Sequence, residues 1–167
     1  MKRLLLAVLT SVVGLCLGSA PVSAAAVTGT QHINSLQDVL PFSCAGPGGA
    51  IQNVATGNGV MHFIANSTGD WFTATFSGQD ALTEGANGGT FMNPVFVPNG
   101  GPTFQGHMEE WFGFEGNLNN TVAHATFNFH GANVVDSTQS LAIHAAFDMT
   151  FNANGILTVN NFTLSCS

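Results

Sequence analysis

Residues 103–152 read TFQGHMEEWFGFEGNLNNTVAHATFNFHGANVVDSTQSLAIHAAFDMTFN. Polar turns at 116–120 (GNLNN) and 133–139 (NVVDSTQ) divide this stretch into three segments. In each, apolar side chains recur at a spacing of two, the spacing that puts alternate residues on opposite faces of a β-strand. Phe104, Met108, Phe112 and Phe114 share one face of the first segment, and Gln105, His107, Glu109 and Trp111 the other. Ala123, Ala125, Phe127 and Phe129 oppose Val122, His124, Thr126, Asn128 and His130 in the second. Leu141, Ile143, Ala145, Phe147, Met149 and Phe151 oppose His144, Asp148, Thr150 and Asn152 in the third. A slip of one residue would expose a whole phenylalanine row, so the rows are expected on one side. One such register sets His124 opposite Asp148 and Asn128 opposite His144.

Outward from this centre the strand signal continues. Residues 51–56, 60–66 and 71–79 read as strands, with a Gly-containing hairpin over 67–70. If Asn66 faces Asp70, then Ile64 faces Phe72, His62 faces Ala74 and Val60 faces Phe76, leaving His62 alone on an apolar face. Residues 25–43 are compatible with a helical turn at 35–40 or a strand ending at Pro41. Residues 80–102 are rich in Gly, Asn and Pro, and Pro94 makes 90–97 an edge or bulged strand. Residues 156–166 form the closing strand. The expected fold is all-β: a single antiparallel, mostly up-and-down barrel of about eight strands, with a β-sandwich as the alternative.

The first residues have a different character. Lys2 and Arg3, the apolar run 4–17 and the small-residue site Val22-Ser23-Ala24 make 1–24 a signal peptide, cleaved after Ala24. Residues 25–43 are then an N-terminal extension and 44–167 the barrel domain. Lys2 and Arg3 are the only Lys and Arg, against nine carboxylates. Without a basic patch, nucleic acid is excluded as a partner and an anionic membrane is a poor one. Two cysteines remain after residue 24, Cys44 and Cys166. Export favours a disulfide between them, which would tie the start of the domain to its last strand.

The site candidates come from strand parity. His107, His124, His144, Asp148 and Trp111 gather on the side opposite the phenylalanines and are the candidate ligand-binding residues. Imidazoles beside carboxylates are also the ingredients of metal or acid–base chemistry. There is, however, no HxH or HExxH motif, and His124 and His130 lie six residues apart, roughly 20 Å along a strand. No metal and no cofactor are therefore expected. Trp71 and Trp111 both fall on polar faces; they are expected to pack at a barrel end, with a sugar-binding platform as the sharper alternative. Glu109 and Glu110 are neighbours only in sequence, so Glu110 falls on the phenylalanine side, where a carboxylate has no cation to meet it. Glu110 and His62 are the catalytic candidates.

The order GNGVMHFIANSTGDWFTATFSGQ (57–79), GHMEEWFGFEGN (106–117), FNFHGA (127–132) and a final cysteine resembles small exported proteins of actinobacterial type, a family without an assigned activity. The architecture is similar, at the level of fold, to dirigent, allene-oxide-cyclase and lipocalin barrels, which licenses no function. The expectation is a secreted, non-catalytic β-barrel protein, binding or envelope-associated, holding a small neutral or cationic ligand. The alternative is a barrel enzyme, isomerase- or cyclase-like, using an interior Glu or His as acid–base.

Overall fold

The computed structural model describes residues 26–44, 48–66, 69–90, 93–117 and 119–167. The expected signal segment, 1–24, lies outside them. The described chain is built from nine strands: β1 (Val27–Ile33), β2 (Leu36–Leu40), β3 (Gly49–Asn66), β4 (Gly69–Asn87), β5 (Phe96–Val97), β6 (Thr103–Asn117), β7 (Asn120–Asn133), β8 (Ser140–Asn152) and β9 (Leu157–Cys166). They form one antiparallel sheet in the order β1-β3-β4-β6-β7-β8-β9. β2 pairs with the first half of β3 and β1 with its second half, so the two act as one interrupted strand. The stretch expected as an N-terminal extension therefore belongs to the sheet, and of its two readings the strand ending before Pro41 is the one adopted.

Asparagine at strand ends shapes the reversals. Asn117 Oδ1 accepts the N–H groups of Asn119 and Asn120, Asn133 Oδ1 those of Val135 and Asp136, and Asn152 Oδ1 those of Asn154 and Ile156. A short amide side chain offers the turning backbone the acceptor it loses when the ladder ends.

Between the turns, the long central strands alternate buried and exposed residues as their periodicity dictates. The buried face holds two apolar clusters. One centres on Leu40, Phe42, Val54, Leu82, Met108, Phe127, Phe129 and Ile143. The other comprises Ala123, Ala125, Phe147 and Met149, with Phe112, Phe114 and Phe151 packed against it. A disulfide joins Cys44 to Cys166, and the Phe42 and Phe162 rings lie 5.7 Å apart, so the segment after β2 meets the last strand.

Two features depart from the sequence reading. The β3–β4 hairpin pairs Asn66 with Gly69, not Asp70, so Ile64 faces Trp71 and His62 faces Thr73. This one-residue slip moves His62 to the polar face. Lower in the same hairpin a bulge between Val54 and Thr56 resets the alternation. Strand β4 also runs far past Gln79, to Asn87, into a region expected to be irregular. Among the described residues, the edge strand expected at 90–97 is represented by Phe96–Val97, with an isolated bridge from Thr90 to Asn93.

Candidate functional site

The outward face is a grid of Thr, Asn, Ser and His set by the ladder registers. His124 lies opposite Asp148 and Asn128 opposite His144, as strand parity implied. The His124 Nδ1–H donates to Asp148 Oδ1 at 2.6 Å, and His144 Nδ1 bonds Asn128 Oδ1 at 2.7 Å. The same arrangement recurs on this face toward the β1 edge of the sheet, where His32 Nδ1 bonds Asn58 Oδ1 at 2.8 Å and His62 Nδ1 bonds Thr28 Oγ1 at 3.0 Å. In all four the cross-strand partner takes Nδ1 and orients the ring, which leaves Nε2 for solvent or ligand. His107 lies opposite His130, with its Nε2 3.9 Å from Glu109 Oε1, too long for a hydrogen bond. Among the described residues no group of three His, Cys, Asp or Glu side chains is arranged to hold a metal ion.

Trp111 stands on this face opposite Thr75 and Thr126. Its indole leans along the strand over Gly113, the residue directly opposite His124. A Cβ at Gly113 would come within 2.8 Å of Trp111 Cη2 and 2.9 Å of Cζ2, so the ring lies where a side chain would otherwise stand. Of the candidate ligand residues, Trp111, His124 and Asp148 thus form one patch. His144 lies two rows along the same strands from Asp148, and His107 a further row away on β6.

Among the described residues the buried face carries the carboxylates Glu110, Asp80 and Glu84. Glu110 sits where parity placed it, opposite Phe76 on one side and Phe127 on the other. It marks the seam between the two apolar clusters: Met108 and Phe127 belong to one, Phe112 and Ala125 to the other. Burial, aided by the negative charge of Asp38, pushes its carboxyl up to about 7. The Phe76 ring leans away from it, over Gly59, whose Cβ would meet the ring at 2.6 Å.

Asp80 and Glu84 continue the buried row Phe72, Ala74, Phe76, Gly78 along β4, with Leu82 between them. Asp80 is 2% exposed; its Oδ1 accepts the Asn53 N–H at 2.9 Å, while Oδ2 has no partner among the described residues. Burial raises its pKa to about 6, against the lowering effect of the Asn53 and Ala81 N–H groups. Glu84 Oε1 accepts from Ser43 Oγ at 3.0 Å and from the Cys44 N–H at 2.7 Å, fixing the disulfide segment to β4. Neither residue was singled out from sequence. The signal was the period-two pattern, which runs on through 80–84 beneath the Gly-rich composition.

His62, the other catalytic candidate, is exposed on the outward face beside Thr28 and does not meet Glu110. The apolar-face placement expected for His62 is therefore corrected, and the slipped hairpin register is the cause. No helix among the described residues is long and apolar enough to cross a membrane. No protein-family model, curated protein or solved structure matches this chain.

Proposed function

We propose that the protein is a secreted, non-catalytic β-barrel binding protein, acting free or at the cell envelope, that takes a neutral or cationic ligand on its outward face. The barrel reading rests on the meeting of the segment after β2 with β9, through Cys44–Cys166 and the Phe42–Phe162 ring pair. Such a disulfide is compatible with an extracellular location.

The observation that carries the binding reading is the exposed Trp111 beside the His124–Asp148 pair, in a chain with no Lys or Arg beyond residue 3. An aromatic surface with directed hydrogen-bonding groups suits recognition, and the missing cations rule out anion capture. The test is titration of the secreted protein with neutral and cationic small molecules, read by NMR shifts at the Trp111 and His124 side chains. Localised, saturable shifts support the reading; their absence across both ligand classes sinks it.

A second reading has its own observation. Glu110, held near neutrality on the apolar side, has the poise of a general acid–base, which would suit an isomerase- or cyclase-like enzyme. Its test is whether Glu110→Gln abolishes turnover of a substrate that the wild type converts.

A further inference from the structure

Trp71 and Trp111 lie on adjacent strands, β4 and β6, and on the same outward face. Trp71 is opposite Glu115 and Trp111 opposite Thr75, which places them four residues apart along the ladder, roughly 13 Å. They are 39% and 36% exposed. The Trp111 indole, laid over Gly113, reaches one row toward Trp71. A tryptophan resting on the strand in this way keeps a flat apolar surface in water at little entropic cost.

The surroundings of the rings are short and polar. Thr73 stands between them on β4, with its methyl 3.5 Å from the Gly113 Cβ position. Thr75 and Thr126 flank Trp111, and Glu115 faces Trp71. His124, with Nδ1 committed to Asp148, presents Nε2 next to the Gly113 row. Hydroxyls, imidazole and carboxylate oxygens bond the hydroxyl groups of a sugar, while the two indoles cover the C–H faces of its rings.

We infer that this strip is a two-subsite platform for an uncharged, extended polysaccharide, with Trp111 and Trp71 stacking against successive parts of the chain; the inference rests on the outward face being the binding face. Charge excludes the sulfated, phosphorylated and uronic classes, since no Lys or Arg follows residue 3. Spacing excludes a monosaccharide as the full ligand, since one sugar ring cannot cover both tryptophans. Linked subsites make affinity grow with chain length, because the second contact forms within the complex.

The chain has two tryptophans and no tyrosine, so its indole fluorescence reports on this strip alone. The secreted protein is titrated with uncharged β-linked gluco-oligosaccharides of two to six units, with dextran sulfate as the anionic control. The expected result is at least a tenfold gain in affinity from the shortest to the longest chain, and no response to dextran sulfate. Trp71→Ala is expected to abolish the length gain while leaving short-chain binding intact, and Trp111→Ala to lose binding at every length. Gly113→Ala, which dislodges the Trp111 ring without deleting it, is expected to behave like Trp111→Ala and guards against a misfolded variant. Length-independent binding that ignores Trp71 overturns the platform while leaving a Trp111-centred binding protein standing. No response to any oligosaccharide overturns the platform outright, and the small-molecule titration above then decides the broader reading by itself.

Discussion

Glu110 lies directly across the ladder from Phe127, on the face the sheet turns away from water. Burial raises its pKa from 4.5 to about 7, so the folded protein holds this proton over a range where the unfolded chain has released it. Folding is favoured by this group below pH 4.5, and the contribution is lost as pH climbs toward 7. Asp80, raised from 3.8 to about 6, acts in the same direction over a slightly lower window. Stability is therefore expected to fall between about pH 4 and pH 7. Glu110→Gln should match the wild type at pH 4 and exceed it at pH 8 by roughly 3 kcal/mol. Denaturant titrations across this range give the answer, and parallel curves for the two proteins would contradict it.

The disulfide and its anchor should separate under reduction. Cys44 and Cys166 are 122 residues apart, and a loop of that length places the chain-entropy contribution near 4–5 kcal/mol. Reduction is expected to lower the guanidinium midpoint by a corresponding amount. Glu84→Ala, which strips the acceptor from Ser43 Oγ and the Cys44 N–H, should cost roughly 2–3 kcal/mol even with the bond intact.

Glycine at 106 is a packing requirement. A Cβ there would meet the His130 carbonyl oxygen and the Gly131 Cα, both backbone atoms of the neighbouring strand. Gly106→Ala must push β6 from β7 and is expected to destabilise by roughly 3 kcal/mol. Gly116→Ala, whose nearest contact would be Thr121 Oγ1 at an ordinary 3.4 Å, should stay within about 0.5 kcal/mol. Thermal melts of the pair test the contrast.

Ionic strength offers a simpler check. Nine carboxylates without a Lys or Arg beyond residue 3 repel one another at neutral pH. Raising salt from low to moderate concentration screens that repulsion and is expected to raise the melting temperature near pH 7. An unchanged melt would mean that the surface acids are too far apart to matter.

The central three strands were readable because alternation there is long and uninterrupted. Parity alone placed Glu110 among phenylalanines and set His124 against Asp148. The β3–β4 hairpin was harder, since Gly69 looks like part of a turn yet opens β4. That single residue decides which way His62 points, and the bulge after Val54 compounds the difficulty. The buried acids Asp80 and Glu84 were hidden by composition: Gly, Asn and Asp suggest a loop, while the ladder to β3 and β6 holds them in a strand. The resting place of the Trp111 ring over Gly113 depends on a rotamer, which periodicity does not encode.

The cystine also has a meaning for behaviour between molecules. Among the described residues β1 and β2 bond only to β3, and β9 only to β8, so the sheet has two free margins. Unpaired margins are templates for strands from other chains. The bond clasps the segment after β2 to the end of β9 within one molecule. Oxidation is thus expected to disfavour pairing of these margins with strands of another chain, and reduction to invite it.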